Sequence, residues 1–289
     1  MTAPSWTRMM ITCLRREQQS RGRKFVLAAT PDAPNISEDM NRQAYAAPMY
    51  GEPRAPARQV AERTRDASPR ARRVAIVSDG SARWAQARGL TIADGHEAAA
   101  DNVIARIADA VELGVEELTL YAFSTENWGR PPSEVSAVLG MLARRIDADA
   151  SKLHGHGVRL RFIGRRDRTG KALTDAMLAA ERLTRRNAGM SVYVALDYGA
   201  RNEIVSAARR YRGGGEAEFA KLLHAAEMHD PDVLIRTSGE RRLSNFLLWQ
   251  AAHSELVFRE EMWPDFGRRS LEESLAEYAE RRRAGAAAV

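Results

Sequence analysis

A short apolar run, "VAIVS" (74–78), stops at an acid and a glycine, Asp79-Gly80, with Ser81, Ala82, Arg83 and Trp84 directly behind. Two other stretches share this texture. "STENWGRPP" (124–132) follows "ELTLYAF", and "RTSGERRLSN" (236–245) follows "DVLI". A strand leaving the core through an Asp-Gly turn accounts for the first stretch taken alone. Taken together, the stretches collect arginines, hydroxyls, glycines and carboxylates. Arginine forks grip phosphate oxygens in pairs. One or two carboxylates suffice for Mg²⁺, which keeps waters and shares phosphate oxygens. With aromatic side chains beside them, such residues suit diphosphates that carry apolar tails. Other chemistries lack their residues. There is no GxxxxGK[ST] phosphate loop, no GxGxxG turn and no His/Cys cluster for zinc. No Ser-His-Asp order stands out, and no DDxxD carboxylate pair is present.

The elements that must position these residues are legible in the apolar pattern. Six β-rich runs recur: "VAIVS" (74–78), "ELTLYAF" (117–123), "VRLRFI" (158–163), "SVYVAL" (191–196), "DVLI" (232–235) and "ELVF" (255–258). Between them, "EVSAVLGMLARRIDADASKL" sets Val135, Val138, Leu139, Leu142 and Ile146 on one helical face. "AADNVIARIADAVELG" does the same with Val103, Ile104, Ile107 and Val111. Strands separated by helices predict an α/β fold, an open, mostly parallel six-stranded sheet flanked by helices. Ligands of such sheets bind beyond the carboxyl ends of the strands. The three polar stretches, and Glu255 opening "ELVF", are therefore expected at one rim.

The chain has 289 residues and a net charge of +6. That surplus belongs to residues 1–72, which hold thirteen Lys/Arg against seven Asp/Glu and seven of the eleven prolines. The rest is balanced, so the basic balance gives no reason to expect nucleic-acid binding by the folded part. Residues 1–72 read as a disordered basic extension, incidental or a tether to an anionic surface, and 73–285 as the folded domain. A single cysteine, Cys13, fits a reducing compartment. No apolar run reaches the ~18 residues of a membrane span, and the N-terminus lacks a signal peptide's apolar centre. A cytoplasmic protein is expected.

From about residue 73 to 285 the chain resembles the cis-prenyltransferases, the family of bacterial undecaprenyl diphosphate synthase. The matching blocks are "VAIVSDGSARWA", "GH" (95–96), "LTLYAFSTENWGRP", "VRLRFIG", "DVLIRTSGERRLSNFLLWQ", "ELVF" and "WPDF". The resemblance implies an apolar tunnel, a homodimer and Mg²⁺. It implies condensation of isopentenyl diphosphate with an allylic diphosphate to give a Z double bond and pyrophosphate, with membrane contact through the lipid product.

Carried over by position, Asp79 resembles the metal-coupled catalytic aspartate. Gly80, Ser81, Ala82 and Arg83, with His96, correspond to the allylic diphosphate cradle, and Trp84 to a neighbour of the allylic chain. Asn127 matches the family's proton acceptor, although a neutral amide is a poor base and a relay to a diphosphate oxygen is more physical. Ser124, Thr125, Glu126, Trp128 and Arg130 match surrounding hinge and substrate contacts. Arg236, Arg242, Leu243 and Ser244 resemble the isopentenyl diphosphate grip. Glu255 resembles a metal ligand supplied by the dimer partner, and Arg283-Ala284-Gly285 a family tail motif.

Several positions depart from the family pattern. Ser81 and Ala82 replace an Asn and its neighbour. Ile92 stands where a phosphate-binding arginine is usual, and "DYGAR" brings Asp197 and Ala200. Losing one charge-assisted phosphate contact costs about 1.5–3 kcal/mol. Altered donor use follows as an expectation unless Arg88 compensates. The alternatives are a short-chain or irregular head-to-middle synthase, with or without ring closure, and, in another class, a noncatalytic partner subunit. Ala122, Leu142, Val158 and Met190 are candidates for the tunnel lining, and Trp263 reads as structural.

Overall fold

The computed structural model describes residues 70–287. All but the last three residues of the expected extension, Cys13 included, lie outside the described residues. The elements follow in order: β1 (Arg73–Val77), α1 (Ser81–Gln86), α2 (Ile92–Glu112), β2 (Glu117–Ser124), a 3₁₀ turn (Thr125–Gly129) and α3 (Pro132–Gly155). Then come β3 (Arg159–Ile163), α4 (Lys171–Thr184), β4 (Ser191–Tyr198), α5 (Ala200–Arg210) and α6 (Glu216–Ala220). The chain closes with β5 (Val233–Arg236), β6 (Glu255–Phe258), a second 3₁₀ turn (Trp263–Asp265) and α7 (Arg268–Ala287).

The six strands form one sheet in the order β3-β4-β2-β1-β5-β6. Every pairing is parallel, a stricter arrangement than the mostly parallel sheet expected. Strands buried on both faces must be apolar throughout, which is why "VAIV" and "VLI" read as unbroken runs. Val74 and Ile76 face one core cluster with Leu118, Leu120 and Phe123. Ala75 and Val77 face the other, with Tyr121, Leu234 and Phe246. Alternation along one strand thus feeds both layers. Val158 and Met190 belong to the first core, at 0% and 5% exposure. They lie just before β3 and β4 and are not among the residues that line the cavity described below.

The helices that flank the site are fixed at their starts. Thr91 caps α2 by accepting from Asp94 N at 3.2 Å, and the Asp94 carboxylate accepts Thr91 N at 2.9 Å. Pro132 occupies the first position of α3, where a missing N–H costs nothing.

At the end of β4, Asp197 has φ 49° and its side chain is buried. It accepts two bonds from Arg168, both at 2.6 Å, and one from Trp128 Nε1 at 2.8 Å. Replacing Asp197 with Ala removes the partner of a half-exposed arginine and places a Cβ-only residue at positive φ. A loss of about 2–3 kcal/mol is expected, read as a lower midpoint in thermal or urea denaturation. Asn, which tolerates this backbone and keeps one acceptor, should lose less.

Candidate active site

The carboxyl ends of β1, β2 and β5 meet around a cavity of about 660 Å³. The register Val77↔Arg236 puts the last residues of β1 and β5 side by side, so Asp79 and Arg236 approach without long loops. Asp79 is held by its backbone. Its N–H donates to Thr237 Oγ1 at 2.9 Å, and its carbonyl accepts from Thr237 Oγ1 at 2.8 Å and from Trp263 N at 2.9 Å. Its carboxylate accepts from Arg236 Nη2 at 2.8 Å and remains one-third exposed.

Gly80 follows at φ 106°, where a Cβ would lie 3.0 Å from both Met262 and Ser238. Only glycine suits that turn. Gly95 serves a different contact: a Cβ there would lie 2.4 Å from the Ser81 carbonyl oxygen. Its absence lets α1 lie against α2 and brings His96 to the cavity wall.

Four arginines reach the cavity. Arg236 is nearly fully buried, and its fork also donates to the Arg242 carbonyl and the Ser244 hydroxyl. Arg83 donates to Ser238 Oγ, 3.8 Å from Asp79 and 3.7 Å from Glu240. Arg242 pairs with the same Glu240. Arg130 bonds Glu134 at 3.1 Å.

Asn127 is oriented by a bond within its own turn. Its Oδ1 accepts Ser124 N at 3.0 Å, which fixes the carboxamide and leaves the Nδ2 donor for other bonds. A neutral amide is a poor base, so the carboxamide suits orientation of a substrate better than removal of its proton. Glu126 is tied to Asn245 Nδ2 at 2.7 Å. Desolvation works to raise the Glu126 pKa, but hydrogen bonds from Asn245 and neighbouring groups hold it below the usual value.

His96 lines the cavity, and its buried Nε2 has no hydrogen-bond partner among the described residues. Burial, and then the charge of Arg130, lower its pKa from 6.5. The neutral ring therefore persists at neutral pH. The folded chain resists a proton that the unfolded chain takes up. Stability from this residue is complete above pH 6.5 and is lost as the pH falls toward the lowered value. His224, partly enclosed and desolvated, shifts the same way. The melting temperature should fall below pH 6.5, and His96→Gln should flatten part of that slope, with the His224 part remaining.

The cavity gathers Asp79, Gly80, Ser81, Ala82, Arg83, His96, Ser124, Glu126, Asn127, Arg130, Arg236, Arg242 and Ser244. Several expected residues are elsewhere. Trp84 donates to Asp265 at 2.7 Å and lies under Arg88, 4.4 Å from the ring centre. Arg88 binds both Asp265 oxygens and does not line the cavity. Trp128 turns to Asp197 and Arg168, bordering a separate hollow. Thr125 bonds Glu126 at 3.1 Å, and Leu243 packs on the second core.

Glu255 corrects the single-rim expectation. It pairs with Val233 at the start of β5, so it sits at the opposite end of the parallel sheet from Asp79.

The cavity also contains residues that motif reading passed over. Ala99, Ala100 and Val103 of α2, Val138 and Met141 of α3, and Phe123 and Trp263 give it an apolar side with Leu142. Ala122, one of the tunnel candidates, also lines it. Asn245 joins three loops, since it also accepts Arg201 N at 2.8 Å. Gly199 leaves room for this junction: a Cβ would lie 2.4 Å from Thr125 Oγ1 and 2.7 Å from Asn245 Nδ2. Gly199→Ala should therefore lower turnover about tenfold or more with little change in melting temperature, as steady-state rates and a thermal melt on one preparation will reveal.

This geometry agrees with what the sequence matches. The sequence model of the prenyltransferase family described as undecaprenyl diphosphate synthase matches residues 77–285. The chain belongs to this family. It is 44% identical over 221 residues to isoprenyl transferase 2 of Bradyrhizobium diazoefficiens, covering 73% of this chain and 88% of that protein. It is 42% identical over 221 residues to the isoprenyl transferase of Rhizobium meliloti, covering 73% and 90%. The structure also resembles lavandulyl diphosphate synthase of Lavandula x intermedia, solved with dimethylallyl diphosphate. That match has a TM-score of 0.69 and 34% identity over 72% of this chain and 95% of the other. The protein is thus a prenyl-transferring enzyme, and the noncatalytic reading falls away. Against the family pattern, neither Ile92 nor Arg88 adds a cation to the cavity.

Proposed function

We propose that this prenyltransferase joins isopentenyl diphosphate to an allylic diphosphate in a Mg²⁺-dependent condensation that sets a Z double bond. One observation carries the reading: the Asp79 carboxylate and four arginines share a cavity whose other side is apolar. The donor diphosphate is assigned to Gly80–Arg83 and His96, where the first-turn N–H groups of α1 have no intrahelical acceptors. The acceptor diphosphate is assigned to Arg236, Arg242 and Ser244. In the reaction the C1–O bond of the donor breaks, and its C1 bonds to the terminal alkene carbon of isopentenyl diphosphate. Pyrophosphate leaves, and a proton departs from C2 of the acceptor. Asn127 orients the acceptor through Nδ2, and a diphosphate oxygen takes the proton.

The donor set suits Mg²⁺ arriving with substrate. Asp79 offers a partly exposed carboxylate oxygen, and no group of three or more His, Cys, Asp or Glu is placed to hold a metal among the described residues. Mg²⁺, when bound, would neutralise charge on the departing diphosphate. Glu255 cannot reach Asp79 of its own chain along the strand, so its proposed metal role requires a homodimer. No helix among the described residues is long and apolar enough to cross a membrane. We assign the reaction to the cytoplasm, with membrane contact only through the product.

The test is incubation with Mg²⁺, isopentenyl diphosphate and each allylic donor, followed by mass analysis. New prenyl diphosphates that disappear with EDTA support the reading, and their absence with every donor contradicts it. The likeness to a dimethylallyl-bound synthase favours a second reading, irregular coupling. Product from dimethylallyl diphosphate alone would select that reading.

A further inference from the structure

Neither Asp197 nor Arg168 lines the active-site cavity, yet both hold Trp128, the residue next to Asn127. We propose, resting on the prenyl-transfer reading above, that Asp197 and Arg168 are positioning residues for that reaction, acting through Trp128 to hold the Asn127 carboxamide against the acceptor. The strand pairing explains how a carboxylate comes to this point. β2 and β4 fall out of step at their ends: Tyr121 pairs with Ala195, Phe123 with Leu196 and Ser124 with Tyr198. Ala122 is left over on β2 and Asp197 on β4. Such bulges re-aim side chains beside active sites, and aspartate tolerates the positive φ of 49° found at this one. The backbone carbonyl of Asp197 accepts Arg165 N at 3.1 Å, which ties the loop carrying Arg168 to the end of β4.

Asn127 itself sits in a short 3₁₀ turn, Thr125–Gly129. Turns of this kind have poor hydrogen-bond geometry and need support from outside. Here the support falls on both neighbours of Asn127. Glu126 is bonded by Asn245 Nδ2 at 2.7 Å. Trp128 packs nearly perpendicular to Phe123, with ring centres 5.7 Å apart, and donates Nε1 to Asp197 at 2.8 Å. Arg168 then does two things. Its fork meets both Asp197 oxygens at 2.6 Å, and its guanidinium carbon lies 4.7 Å from the centre of the Trp128 ring. The Asp197 side chain is fully buried. Without Arg168 it would keep a neutral donor but lose its charged partner, which is unfavourable. Trp128 would lose the cover of its ring at the same time, and Asn127 one of its two anchored neighbours.

The experiment measures turnover of the full chain with Mg²⁺, isopentenyl diphosphate and an allylic diphosphate. It compares the parent with Trp128→Phe and Arg168→Met, alone and each combined with Asn127→Ala, with a thermal melt on every preparation. Each single variant should lower kcat about ten- to a hundredfold. KM for isopentenyl diphosphate should stay within about threefold, because Arg236, Arg242 and Ser244 are untouched. Added to Asn127→Ala, either change should cost less than about threefold more, since both act through the group already removed. Losses that multiply in the combined variants overturn the proposal, as do a loss confined to KM and a kcat near the parent's in folded single variants. Arg168→Lys, which keeps the charge but not the fork, takes the place of Arg168→Met if that variant does not fold. A parent that yields no prenyl product would instead remove the prenyl-transfer reading on which this rests.

Discussion

Replacing Asp79 with alanine should lower turnover by about a thousandfold or more at saturating substrate and Mg²⁺, in a protein that still folds. The backbone at this position does not depend on the carboxylate. Thr237 and Trp263 hold its N–H and carbonyl. What the variant loses is the negative charge beside Arg236 and the oxygen assigned to the metal. Removing one preorganised electrostatic group typically costs about 10²–10³ in rate, and loss of the proposed metal anchor adds to that. Asp79→Asn keeps the shape and one acceptor but not the charge. It should fall nearly as far. Rates from single-turnover mixing, beside a thermal melt, check both. Activity within tenfold of the parent in Asp79→Ala would mean the carboxylate takes no part in the chemistry.

The second large effect is expected at Arg236. Its guanidinium is nearly fully buried and satisfies three groups: the Asp79 carboxylate, the Arg242 carbonyl and the Ser244 hydroxyl. Arg236→Ala removes the phosphate contact proposed for this residue, worth about 1.5–3 kcal/mol, so KM for isopentenyl diphosphate should rise about 10–100-fold. It also frees the 237–245 loop, whose backbone carries positive φ at Ser238, Ser244 and Asn245, so the melting temperature should drop too. Lysine keeps charge but lacks the planar fork, and it should recover little. A KM that rises for the allylic donor alone would place the two diphosphates the other way round.

Much of this arrangement was legible in the sequence because parallel strands buried on both faces leave unbroken apolar runs. Residues following the runs "VAIV", "ELTLYAF" and "VLI" end at one rim, which is why Asp79, Asn127 and Arg236 come to line one cavity. The same logic, followed through, places Glu255 elsewhere: it opens its strand, and the start of a parallel strand lies at the other rim. Trp84 and Trp128 escaped for a different reason. Their ring N–H groups are satisfied by Asp265 and Asp197, partners 181 and 69 residues away, which no local spacing reveals. The apolar wall was half visible. Val103, Val138 and Leu142 stood out as helix faces, but helical periodicity cannot separate a side chain packed in a core from one bordering a cavity.

The central claim, that this rim binds two diphosphates and expels one, is tested most directly by measuring pyrophosphate release against isopentenyl diphosphate consumed. The account predicts one pyrophosphate per isopentenyl diphosphate, none after EDTA and almost none from Asp79→Ala. Consumption without pyrophosphate, or release that is indifferent to both treatments, would contradict it.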